Sequence, residues 1–138
     1  MTSAEHTKFR STKIWKEFRK SIIQTRGAIC ECCGTRYSGK RTKQLQIHHK
    51  DPVNYTDLNP EKFVILDSSC HDLIERMSTK LKGLRSGDIP HLENWIRLLY
   101  TFLPYETQRI VVEKYDDYLS SKMPDEWKDL CRKNENEP

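Results

Sequence analysis

Apolar residues recur with a helical period in several stretches of the chain and with a strand-like rhythm in two short ones. Over residues 11–26, Trp15, Phe18 and Ile22 return every three to four positions, with Ile14 and Ile23 beside them, while Lys13, Lys16, Arg19 and Lys20 lie on or near the other face. This predicts an amphipathic helix that Ser11 can cap and Gly27 ends. Its aromatic stripe reads as core rather than as a platform for stacking bases. Gln44 to His48 alternates and predicts a short strand, broken by Asp51-Pro52. Phe63 to Leu66 is an unbroken apolar run of strand length. A helix capped by Ser68 or Ser69 should follow, carrying Cys70, His71, Leu73, Ile74 and Met77 and fading at Lys82-Gly83.

Residues 84–89 read as a hinge around Gly87, and Pro90 suits the first turn of a new helix with Leu92, Trp95, Ile96, Leu99 and Leu103 on its apolar face. Pro104 ends that helix and opens another, in which Val111, Tyr115 and Tyr118 keep the period with Ile110 and Leu119 in support, until Pro124. Residues 125–131 can add a helical turn. Between these elements lie a turn at 28–34, a basic loop from Arg36 to Lys43 around Gly39, and a connecting loop at 53–61 with Asn54, Asn59 and Pro60. The order is helix, strand, strand, helix, then two more helices, so the fold class is α+β with a very small sheet. The chain divides into a flexible N-terminus at 1–10, a domain at 11–83, a helical extension at 84–131 and a disordered tail at 132–138.

Composition sharpens this picture. The 138 residues suffice for one compact domain, and 32% are charged, so the core should be small and a metal staple would help it. The net charge of +4 hides an asymmetry: residues 8–50 hold twelve Lys or Arg against two acids, whereas residues 88–138 hold seven against eleven. A basic front half and an acidic back half point to a polyanion on one face. No apolar run is long enough for a transmembrane helix, and Met1 to Arg10 lacks the apolar stretch of a signal peptide. Of five Cys, three crowd into Cys30 to Cys33, which argues for reduced thiols as metal ligands and for an intracellular, cytoplasmic protein. Cys131 lies in the polar tail and is expected to be unrelated.

Cys30 and Cys33 have the spacing at which a tight turn points both sulfurs at one tetrahedral zinc. Cys32 could be recruited instead, although adjacent residues rarely both face one ion, and the thiols could also simply pack as small buried groups. Downstream stands the pair His48-His49, within Leu45-Gln46-Ile47-His48-His49-Lys50-Asp51, and then Lys62-Phe63-Val64-Ile65-Leu66-Asp67-Ser68-Ser69-Cys70-His71. His6 and His91 read as ordinary surface or core histidines.

Cys-bearing corners flanking a His pair, with a further His directly after the last Cys, resemble the HNH nuclease family over residues 28–80. The resemblance implies a ββα-metal (His-Me finger) core within residues 11–83, flanked by the basic helix and the acidic helical extension. It implies that His49 is the general base, and that His48 and His71 hold the catalytic ion (Mg²⁺, Mn²⁺ or Ni²⁺). Imidazole ligands lean toward the softer ions in vitro. It also implies a second zinc-binding pair at the strand-to-helix junction, where this chain has Asp67 and Cys70, giving a structural zinc held by Cys30, Cys33, Asp67 and Cys70. The implied activity is a DNA endonuclease or nickase, and small free-standing members look like phage or mobile-element enzymes.

This chain also departs from the family. Lys62 occupies the position of the middle Asn, and Lys cannot accept a hydrogen bond from an imidazole. Asn54, Asn59 or a backbone carbonyl could fix the His49 ring instead, and Lys62 could touch a phosphate. A degenerate member that binds nucleic acid or a protein without cutting is therefore the alternative. Phosphate contacts are expected from Arg36, Lys40, Arg41 and Lys43 in the loop, from Lys50 and Lys62, and from Arg76 and Lys80 on the motif helix. Residues 84–131 could pack the core, self-associate or dock a protein partner, with Trp95 and Trp127 marking either a core or an interface. No membrane partner is expected.

Overall fold

The computed structural model describes residues 3–122 and Asp125. Two strands, β1 (Leu45–His49) and β2 (Phe63–Asp67), pair antiparallel with Leu45 opposite Asp67 and His49 opposite Phe63. In β1, Leu45 and Ile47 are buried and Gln46 is exposed, the mark of a half-buried strand, whereas every residue of β2 is buried. The connection between them contains turns at Pro52–Asn54 and Pro60–Lys62. Each opens on a proline, whose fixed φ suits that position.

Helix α3 (Ser68–Lys82) leaves directly from β2. Asp67 caps it rather than Ser68 or Ser69: its Oδ1 accepts from the Cys70 N–H at 2.8 Å. Cys70, Ile74, Ser78 and Leu81 form its buried stripe. Helix α2 (Lys13–Arg26) is capped by Thr12, one residue beyond the expected Ser11, and ends at Gly27, whose φ of +95° favours glycine. Trp15 and Phe18 pack on Phe63, with ring centroids at 5.8 and 4.8 Å.

Polar side chains cover the sheet edges where further strands would otherwise sit. Arg19 donates to the carbonyls of Thr42 and Leu45 at 3.2 and 2.6 Å. Arg26 donates to the Phe63 and Pro60 carbonyls, and Glu31 accepts from the Ile65 N–H at 2.6 Å.

Helices α4 (Ile89–Leu99) and α5 (Tyr105–Lys122) close the molecule. Ile89, Ile96, Leu99, Leu103 and Val111 belong to the same buried cluster as Ile65, Leu66, Ile74 and Leu81, so the helical half shares one core with the sheet. The buried hydroxyls of Ser78 and Thr107 meet at 2.7 Å, and the Tyr105 N–H bonds to the Lys50 carbonyl at 2.8 Å. Trp95, expected on the apolar face of α4, is 47% exposed. The helix begins at Ile89, and its buried stripe runs through Ile89, Ile96 and Leu99, leaving Trp95 off it. Leu119 is likewise exposed.

The first residues, expected to be flexible, form helix α1 (Ser3–Arg10). Phe9 packs against Trp15 and Tyr55, and His6 against Tyr55, at centroid distances of 5.9, 5.3 and 4.9 Å. A single aromatic contact patch gives too little periodicity to predict a helix. Pro124, Trp127, Cys131, the turn expected at 125–131 and the tail at 132–138 lie outside the described residues, apart from Asp125. Among the described residues, no helix is long and apolar enough to cross a membrane.

Candidate functional site

The thiol corner begins with a tight turn. Ile29 bridges Arg36, the Cys30 N–H bonds to the Thr35 carbonyl at 3.0 Å, and the Gly34 N–H returns to the Cys30 carbonyl at 2.8 Å. Gly34 has φ of +76°, which a side chain would strain. The turn carries Cys30 and Cys33, and the junction of β2 with α3 carries Asp67 and Cys70. One ligand atom from each of these four residues lies within 4.8 Å of the others, close enough to hold a metal ion. A tetrahedral zinc with bonds of about 2.3 Å to sulfur sets ligand atoms somewhat under 4 Å apart. Cys32 is not in the group.

The electrostatics of the corner favour a cation. Burial raises the Asp67 carboxyl, but the Cys70 N–H, the Tyr37 hydroxyl at 2.8 Å and the Cys33 thiol at 3.3 Å outweigh it and hold the group at about 2. Burial and the Asp67 carboxylate push the Cys70 thiol up. An ionised carboxylate facing three thiols is a donor set that a thiophilic divalent ion satisfies.

The histidines leave β1 on opposite sides. His48 is 9% exposed and packs edge-on against His71, centroids 5.2 Å apart. Its Nε2 is buried without a hydrogen-bond partner, the one buried side-chain nitrogen or oxygen so placed among the described residues. Leaving such an atom unsatisfied costs about 1–3 kcal/mol, which a water, an ion or another bound group at Nε2 would offset. Burial, then the charges of His71, His49, Arg10 and Lys50, lower His48 to about 4. It is therefore a neutral imidazole at physiological pH, the form that ligates metals. His71, on the first turn of α3, sets its Nε2 at 3.3 Å from Glu75.

His49 is held at both ring nitrogens. Its Nδ1 accepts from the Asp51 N–H at 3.0 Å, so that nitrogen carries a lone pair, and Nε2–H then donates to the Asn54 carbonyl at 3.2 Å. The ring lies 4.2 Å from that of Phe63. Burial lowers its pKa, opposed by the Asn54 carbonyl and the Asp51 carboxylate. A backbone carbonyl thus fixes the ring, one of the alternatives open in the sequence, and it belongs to Asn54 rather than Asn59.

His48, His49 and His71 all line one cavity of about 630 Å³ that runs along β1. Arg10, Arg19, Lys43 and Lys82 also line it, against Glu75 as its acid. Of the eight cations expected to meet phosphate, only Lys43 lines this cavity. Arg36, Lys40, Arg41, Arg76 and Lys80 are exposed elsewhere, the last two off the His71–Ser78 face of α3. Lys50 is half-buried, its ammonium 5.6 Å from the Tyr105 ring. Lys62 pairs with Asp57 at 2.7 Å and Asp51 at 3.4 Å.

Sequence reasoning missed Arg10, Lys82 and His6, which also lines the cavity. Lys82 could have been found by its spacing from His71, Glu75 and Ser78 along α3. His6 and Arg10 depend on the docking of α1. Compared with known proteins, the chain matches no family model, no curated protein and no solved structure.

Proposed function

We propose that the protein is a metal-dependent endonuclease or nickase of the HNH type that hydrolyses DNA phosphodiesters. The observation that carries this reading is the unpartnered, buried Nε2 of His48, whose ring packs on His71 beside a cation-lined cavity that His49 also borders. The strand–strand–helix order around these residues supports a ββα-metal core.

His48 and His71 would hold the divalent ion, Mg²⁺, Mn²⁺ or Ni²⁺, which when bound supplies positive charge to the scissile phosphate and the leaving oxygen. Glu75, beside the His71 Nε2, orients that ring. His49 takes the proton of the attacking water at Nδ1, while the Asn54 carbonyl stabilises the N–H of the resulting imidazolium. The water oxygen bonds to phosphorus as the bond to the leaving oxygen breaks. Arg10, Lys43 and Lys82 receive the neighbouring phosphates. Cys30, Cys33, Asp67 and Cys70 would hold a structural zinc, which when bound would fix the first turn of α3 and with it His71.

One observation favours a second reading, a protein that binds nucleic acid or a protein partner without cutting. The lone pair of His49 that should receive the water's proton already accepts from the Asp51 N–H. Catalysis requires water to displace that contact. Supercoiled plasmid incubated with Mg²⁺, Mn²⁺ or Ni²⁺, beside an EDTA control, separates the readings. Ion-dependent nicked or linear product supports the nuclease. A folded protein that retards DNA and cuts with none of these ions supports the binding protein.

A further inference from the structure

We infer that Lys62 is a positioning residue for His49, acting through Asp51 and Asp57 to hold the loop that selects the tautomer of the ring. Its kinetic consequence rests on the nuclease reading; its structural consequence does not.

The loop between the strands is closed at its base, where the Lys50 N–H bonds to the Lys62 carbonyl at 2.9 Å. The Lys62 side chain then folds over it, Nζ meeting Asp57 Oδ2 at 2.7 Å and Asp51 Oδ2 at 3.4 Å. These two carboxylates belong to the residues that control both nitrogens of His49. Asp51 supplies the N–H on Nδ1. Asp57 donates its own N–H, at 3.0 Å, to the same Asn54 carbonyl that accepts from Nε2. Asn54 closes the circuit, its side-chain amide donating to Asp51 Oδ2 at 3.0 Å.

Both ring contacts demand the same tautomer, lone pair on Nδ1 and proton on Nε2, the form a base needs to accept at Nδ1. The ammonium is what allows two carboxylates to share this small loop. Without it Asp51 and Asp57 repel each other, and the turn that presents the Asn54 carbonyl loses its clamp. The Lys62 and Asp51 side chains are 24% and 20% exposed, so water screens that pair less than it would a surface ion pair, whereas Asp57 is 48% exposed and its shorter contact is screened more.

Long-range ¹H–¹⁵N correlation of the histidine rings, at one fixed neutral pH and low salt, tests the assignment in the full chain. His49 is identified by the signals that vanish in His49→Gln. In the wild type one ring nitrogen should appear protonated and the other not. In Lys62→Met both should shift toward an average of exchanging tautomers, and Lys62→Arg should restore the wild-type pattern. Unchanged His49 signals in a folded Lys62→Met overturn the proposal. If Lys62→Met does not fold, Lys62→Gln, which keeps a polar side chain without the charge, decides: averaging is expected, and a wild-type ring spectrum overturns the proposal.

In plasmid cleavage with Mn²⁺, Lys62→Met should lower kcat about 10- to 100-fold with KM changed less than about twofold. A raised KM at unchanged kcat would make Lys62 a phosphate contact, and a raised kcat would make it an inhibitory latch; either outcome overturns the positioning role. A wild type that cuts nothing defeats the nuclease reading, and the tautomer measurement still decides the role of Lys62.

Discussion

A histidine buried without a hydrogen-bond partner is tolerated as a neutral ring far better than as an imidazolium. His48 therefore makes the metal-free protein acid-sensitive. Its folded pKa is about 4, below the ordinary value of 6.5, so the unfolded chain takes the proton first. The stability that His48 contributes is present above pH 6.5 and is lost as the pH falls through about 4, to a total of about 3 kcal/mol. Urea denaturation without added metal should show a smaller loss between neutral pH and pH about 4 in His48→Phe than in the wild type, the difference being His48's share. Equal losses would mean that the ring is not held neutral.

At this scale the sequence was informative where candidate groups sit close together along the chain, as in Cys30 with Cys33, Asp67 with Cys70, and His48 beside His49. It was silent on the partners of Lys62, because Asp51 and Asp57 lie in an aperiodic loop where spacing says nothing about contact.

Among the elements, α3 has the most to do. Asp67 serves at once as its N-cap and as the fourth member of the thiol corner. The serines that follow looked like better caps, but Asp67 wins because its carboxylate also receives the Tyr37 hydroxyl and the Cys33 thiol. We expect one zinc per chain in the purified protein by elemental analysis. Cys70→Ser, or exhaustive chelation, should remove it and lower the melting temperature by about 10 °C, equivalent to about 3 kcal/mol or somewhat more. A metal-free wild type with an unchanged melting temperature would mean that the corner is a packed thiol cluster.

The two strands and α3 were readable because their hydrophobic patterns differ in period: alternation in β1, an unbroken run in β2, every third or fourth residue in α3. Helix α1 was not, because its hold on the molecule comes from rings that meet Tyr55 across the fold. With it went the cavity positions of His6 and Arg10.

For the whole molecule, the basic half of the sequence supplies most of the cavity's lining, and of the eight cations expected to meet phosphate only Lys43 is part of it. Most of the basic loop lies elsewhere, whereas Lys43, Lys82 and Arg10 line the cavity that the histidines border. DNA affinity should therefore fall with salt along a log–log slope that Lys43→Ala and Lys82→Ala each make shallower by about one, while Arg76→Ala and Lys80→Ala leave it nearly unchanged. The reverse ranking in a salt titration would place the DNA on the outer face of α3.

The acidic half shares the core with the sheet through Ser78, Thr107 and the Lys50–Tyr105 contact, so it braces the site. The decisive comparison is single-turnover plasmid cleavage by the wild type and His49→Ala with Mn²⁺, with DNA binding measured on the same samples. We expect His49→Ala to cut about 10²- to 10⁴-fold more slowly while retarding DNA equally. Equal cleavage by both, or none by a folded wild type, would contradict a His49-activated phosphodiester hydrolase.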